Sequence, residues 1–126
     1  MSCPVVEGDS KTMSAYKEGL FLESWIEGVK VAGPELFGDG LDPDIATSKW
    51  DLRPRIAEIE HHLSEMSCGE ALFVASMVWF YNDGDGSTLL RSLVEGSDFG
   101  IGFIAASLDE DRRRIIADLF ANYPGW

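Results

Sequence analysis

Cysteine is nearly absent from this 126-residue chain, and the two present, Cys3 and Cys68, stand far apart. They form neither a disulfide framework nor metal-ligand spacing, so a reducing cytoplasmic setting is the expectation. Histidine is confined to the adjacent pair His61-His62, which leaves few bases for nucleophilic catalysis. Basic residues are also short: ten Lys and Arg face 22 Asp and Glu, for a formal charge of −12. That balance repels the phosphates of DNA and RNA and disfavours anionic membrane surfaces. No uninterrupted apolar run approaches the roughly 18 residues of a membrane span. The stretch Met1 to Ser14 lacks the basic and apolar regions of a secretory signal. Gly84 and Gly86 are not followed by the Lys-Ser/Thr of a phosphate-binding loop.

What the chain does have is material for one core, with 45% apolar and 11% aromatic residues. Its length is that of one domain. Residues 1–12 show no periodicity and read as a flexible tail, and residues 13–126 as a single helical domain. Leu20, Leu22, Trp25, Ile26 and Val29 suit one face of a helix from Ala15 to Val31 with Ser14 as its N-cap. Gly33-Pro34 ends it, and a long Gly-, Asp- and Pro-rich loop follows to Lys49. Ile56, Ile59, Leu63 and Met66 form the apolar stripe of a second helix opening at Arg53-Pro54.

Ser67-Cys68-Gly69-Glu70 has the form of a capping box. The run Ala71 to Tyr81 after it is apolar nearly all round, which predicts a central helix over 68–82. Asn82-Asp83-Gly84-Asp85-Gly86 reads as an interhelix breaker, with Ser87 capping a short helix beyond it. Phe99 to Ala106 is a further helix or a buried strand. Ser107-Leu108-Asp109-Glu110 repeats the capping pattern before a last helix, with Ile115, Ile116, Leu119 and Phe120 facing inward. The expectation is an all-α compact domain of five to six short helices around the central one, more than half of the chain helical. Phe73, Met77, Phe80, Ile116 and Phe120 are the expected core.

Few constellations carry chemistry. Aligned with a calcium-binding loop, Asp83 and Asp85 fall on ligand positions, but Tyr81 and Ser92 fall where the first aspartate and the bidentate glutamate belong. A polar turn is the simpler reading. Glu58, His61 and Glu65 share the polar face of the second helix, with His62 at its border, and Glu58-x-x-His61 has the spacing of di-iron bundles. Such a site needs further carboxylates on other helices, pointing inward, so a solvated face is preferred and a metal-binding protein is the alternative. Cys68 begins a helix whose dipole favours a thiolate, yet only His62 offers a base. Arg112, Arg113 and Arg114 stand beside Asp109, Glu110 and Asp111 and read as locally paired. Trp50 and Trp126 lie at element edges, where aromatics seal a core or serve as interface anchors.

The segment Ser67-x-Gly69-Glu70-Ala71-x-Phe73, then Trp79-Phe80-Tyr81-Asn82, with the ending Asp111-Arg112-Arg113-Arg114-x-Ile116-Ala117-x-Leu119 … Asn122-Tyr123-x-Gly125-Trp126, resembles a group of short proteins carried on bacterial integrative conjugative elements. The likeness covers roughly the last sixty residues. It implies cargo of a mobile element, a setting in which small acidic proteins such as anti-CRISPR proteins and DNA-mimicking restriction inhibitors disarm host defences by binding them. No functional residue is carried over from it, and no cofactor is expected.

Residues and resemblance together predict a non-enzymatic protein-binding module, in its sharpest form an inhibitor of a basic, nucleic-acid-handling complex. A structural or assembly protein of a conjugative element is a further alternative. The expected partner surface is Glu23, Glu27, Glu58 and Glu65, with Trp50 and Trp126. The metal candidates are His61 and Glu65.

Overall fold

The run from Ala71 to Val78 is apolar but for Ser76, and a helix that is apolar on every side must be covered on every side. In the computed structural model, which describes residues 10–93 and 100–125, all of Ala71–Val78 is buried within α3 (Cys68–Tyr81). The Ser67 hydroxyl caps it, accepting the Glu70 N–H at 3.2 Å. Around it lie α1 (Ser10–Ala32), α2 (Ile56–His62), α4 (Asp83–Leu93), α5 (Ile101–Ser107) and α6 (Glu110–Ala121). There is no strand among the described residues, only an isolated antiparallel bridge between Phe37 and Pro54. The all-α architecture is as expected, and of the doubtful run 99–106 the part from Ile101 onward is helix. Residues 1–9 of the expected tail, together with Phe99 and Trp126, lie outside the described residues.

The longest helix, α1, supplies Phe21, Trp25 and Val29 to the core at i, i+4 and i+8. Trp25 is wholly buried, and its indole N–H donates to the Leu52 carbonyl at 3.0 Å. Its ring stacks on Phe21 and on Tyr81, both at 5.9 Å, and meets the edge of Phe37 at 5.6 Å. One side chain thus joins α1 and α3 to the connecting segment 33–55. That segment is not a bare loop, since it contains 3-10 turns at Pro34–Leu36, Pro43–Ile45 and Lys49–Leu52. Helices α2 and α5, seven residues each, are far below the roughly 12 residues at which an isolated helix becomes stable. Packing of Ile59 and Ile104 on the core holds them.

Several boundaries differ from the sequence expectation, each for a local reason. Helix α1 already begins at Ser10, so Ser14 lies inside it rather than at its N-cap. Helix α2 starts at Ile56, not Pro54. The flanking residues are engaged in extended pairing, Gly38 N–H to Arg53 O and Arg55 N–H to Leu36 O, each at 2.8 Å. The cap of α6 is Asp109, whose carboxylate accepts the Arg112 N–H at 2.8 Å, while the Ser107 hydroxyl bonds the Phe103 carbonyl at the end of α5. On α6 the innermost residues are Ile115 and Leu119. Ile116 is half-buried, and Phe120, one residue further round the helix, is 65% exposed and not core. Phe73 and Met77 are buried, and Phe80 is half-buried.

The largest departure is Asp83-Gly84-Asp85-Gly86, expected as a turn and found as the first turn of α4. Two glycines cost about 1 kcal/mol each against alanine in a helix. The Asn82 side chain, accepting the Asp85 N–H at 3.0 Å, returns about 1 kcal/mol as a cap. Asp83 and Asp85 add a few tenths each at the positive end of the helix dipole. Burial of Leu89 and Leu90 contributes about 2 kcal/mol apiece and decides the sum. Gly86 has a separate reason to be there: a Cβ on it would sit 2.4 Å from the Trp79 Cα, so its lack of a side chain lets α4 fold back against α3.

Two substitutions in this turn separate these effects. Gly86→Ala is expected to destabilise by at least about 2 kcal/mol through the backbone clash, whereas exposed Gly84→Ala is expected to stabilise by about 0.5–1 kcal/mol. Urea denaturation of both variants checks this, and equal effects of one sign would contradict the packing described.

Candidate functional site

The polar face of α2 brings together a different set from the one the sequence suggested. It is His62, not His61, that meets both carboxylates, with Nδ1 3.1 Å from Glu65 and Nε2 3.6 Å from Glu58. A 3-10 turn at Leu63–Glu65 follows α2 and carries Glu65 onto the His62 side. His61 is exposed, its ring edge-on to that of His62. Among the described residues no three His, Cys, Asp or Glu side chains gather as a metal site. The Asp83–Ser87 segment is helical, so its carboxylates do not wrap around a central point as those of a calcium loop do. Cys68 is exposed at the first position of α3, and the nearest base in sequence, His62, is turned towards Glu58 and Glu65.

The expected acidic surface divides in two. Glu27 is half-buried and paired with Arg114 of α6, which also approaches Asp118 at 3.6 Å. It therefore joins α1 to α6, and Arg114 is paired across the molecule rather than with its own helix start. Glu58 is shared between Arg55 and His62, and Glu65 is held by His62. Lys30 pairs with Asp44, Arg53 with Asp39 and Arg112 with Asp109. Glu23, by contrast, is exposed and, like Glu60, Asp85 and Glu110, faces no basic side chain among the described residues. Five basic side chains are paired inside the molecule; Lys17, Arg91 and Arg113 make no ion pair among the described residues, and the unpaired acids still outnumber them.

Trp50 is 55% exposed, its ring set edge-on to Tyr81 at 5.3 Å. The Lys49 ammonium lies 4.3 Å from the Trp50 centroid and 5.2 Å from that of Tyr81. Burial pushes the Lys49 amine down to about 8, against the pull of Glu18 in the other direction. Trp50 is thus partly engaged in covering a buried lysine.

Two features were missed by the sequence reading. One is Lys49 itself. The other is a cleft of about 510 Å³ between α3, α5 and α6. Ser76 and Phe80 line its α3 side, Ile101 and Ile104 its α5 side, and Phe120 its α6 side, with Asp83 at the start of α4. The side chains of Ile101 and Phe120 are 69% and 65% exposed beside it. The Ser76 hydroxyl is buried and has no hydrogen-bond partner among the described residues. A signal for Ser76 existed, since it is the one polar residue between Ala71 and Tyr81. No family model, curated protein or solved structure matches the chain.

The hydrogen bond that the His62 Nδ1–H donates to the Glu65 carboxylate, helped by the charges of Glu65 and Glu58, holds the imidazole above its ordinary range. A raised folded value means that the stabilisation is complete below the unfolded value of about 6.5 and is lost as pH rises through the folded value. Proton NMR is expected to show His62 titrating above that value, and Glu65→Gln to bring it back down. An unshifted His62 in the parent protein would contradict the arrangement.

Proposed function

We propose that this protein is a non-catalytic binding module that docks through surplus acidic side chains onto a basic surface of another protein. The observation that carries the reading is a surplus of unpaired acid: Lys17, Arg91 and Arg113 also lack an ion pair among the described residues, but the exposed unpaired acids outnumber them. Lys30, Arg53, Arg55, Arg112 and Arg114 each meet a carboxylate within the fold, while Glu23, Glu60, Asp85 and Glu110 stand exposed with no basic partner among the described residues. Uncompensated charge adds self-repulsion to a fold, so its use lies outside the fold, where it accelerates encounter with an oppositely charged partner.

The sharpest form of the proposal is an inhibitor that occupies the nucleic-acid-binding surface of a bacterial host defence complex. The −12 charge supports it, because a surface that binds phosphates is basic. So does the resemblance of the last sixty or so residues to proteins of conjugative elements. Of the acidic residues first proposed, Glu23 remains in the docking set. Glu27 is assigned to the α1–α6 contact, and Glu58 and Glu65 to the His62 cluster.

The test begins with capture of a partner from bacterial lysate and its release by salt. Two double reversals, Glu23→Lys with Glu60→Lys and Asp85→Lys with Glu110→Lys, are then compared with the parent. At least one pair is expected to slow association with that partner by about tenfold and to flatten its salt dependence. The melting temperature is expected to stay level or rise for the Glu23/Glu60 pair and to fall slightly for the Asp85/Glu110 pair, which gives up favourable first-turn positions. If both leave the on-rate unchanged, the acidic surface serves solubility alone and the reading fails.

A further inference from the structure

The cleft between α3, α5 and α6 is independent of the docking surface, and its chemistry points elsewhere. Three observations meet there. Its volume of about 510 Å³ falls in the range that encloses small organic ligands. Large apolar side chains, Ile101 and Phe120, are left in water at its edge, an arrangement that marks binding sites more often than bare surface. Third, Ser76 sits among apolar residues, 3% exposed, with its hydroxyl lacking any partner among the described residues.

That hydroxyl is the telling group. A buried hydroxyl without a hydrogen bond destabilises a fold, and alanine would fill the same helical position without that cost. Ser76 is one of the residues that line the cleft, so a ligand seated against it is placed to supply the partner that the protein does not. A hydroxyl both donates and accepts, so a neutral hydroxyl or carbonyl on the ligand satisfies it. The second polar group is the Asp83 carboxylate, exposed and an acceptor only. With the overall charge of −12, it disfavours anionic ligands and favours a protonated amine.

We propose that this cleft binds an apolar organic cation. Its body lies against Ile101, Ile104 and Phe120, a hydroxyl or carbonyl on that body bonds Ser76, and its ammonium faces Asp83.

The experiment follows isoleucine methyl resonances of the full chain during titration with four probes of one shape: p-hydroxyphenylbutylamine, phenylbutylamine, p-hydroxyphenylbutanol and p-hydroxyphenylbutanoate. The hydroxylated amine is expected to shift the Ile101 and Ile104 methyls saturably and to bind about tenfold more tightly than the carboxylate. Asp83→Asn is expected to remove most of that preference while leaving the alcohol's affinity unchanged. Ser76→Ala is expected to weaken the hydroxylated amine by about fivefold and phenylbutylamine hardly at all, with a melting temperature equal to or above the parent's. That opposition of affinity and stability is not produced by a purely structural serine. The proposal is overturned if no probe gives saturable shifts at about millimolar concentration. It is equally overturned if the carboxylate binds as well as the amine, or if Ser76→Ala affects both amines alike.

Discussion

A helix that is apolar on all sides governs this structure. Helix α3 buries every residue from Ala71 to Val78, and the other elements are placed by the need to cover it. Helix α1 lays Phe21, Trp25 and Val29 against the core, and Trp25 draws the connecting segment in through Leu52. Helix α4 folds directly back, which the missing side chain of Gly86 permits. Helices α5 and α6 close the remaining side with two short stripes, Ile104 and then Ile115 with Leu119. Beyond Val78 that cover is incomplete: Trp79 and Phe80 are only half-buried, and the cleft lies alongside them. Fold and cleft have the same cause.

The electrostatics follow a comparable division. Two ion pairs lie where separate elements meet, Arg114 with Glu27 between α6 and α1 and Lys30 with Asp44 between α1 and a 3-10 turn, while others, such as Arg112 with Asp109, are local. These pairs are largely exposed, and exposed pairs contribute about 0–1 kcal/mol each, far less than burial of Trp25 or Phe73. Charge therefore trims this fold without building it. Of the acids left over, Glu23 and Glu60 make no ion pair within the fold, and this is what makes them candidates for a role between molecules.

Much of the fold was legible in the residues because its main signals are local. The Ser67 cap and the unbroken apolar run gave α3, the i, i+4, i+8 spacing gave α1, and Ile56, Ile59 and Leu63 gave α2. What was not legible depended on contacts distant in sequence. Asp83-Gly84-Asp85-Gly86 has the composition of a turn and becomes helix because Leu89 and Leu90 find the core. Phe120 carries the apolar signal of a core residue, yet rotation of α6 about Ile115 and Leu119 leaves it at the cleft. The site was harder still. Periodicity placed Glu27, Glu58 and Glu65 on polar faces, but Arg114 reaches Glu27 from α6, and a 3-10 turn after α2 carries Glu65 round to His62. The neighbour of a helix residue three or four positions away is readable; the neighbour 87 residues away is not.

The central claim is that the surplus negative charge opposes the fold and is carried for a partner. Melting temperature against sodium chloride tests it most directly. Between about 0.01 M and 0.15 M salt the screening length falls from about 30 Å to about 8 Å, which removes repulsion among separated acids such as Glu23 and Glu60. The account predicts a rise of about 3 °C or more over that interval. A melting temperature that stays level or falls as salt is added would mean that the charges support the fold, and would contradict it.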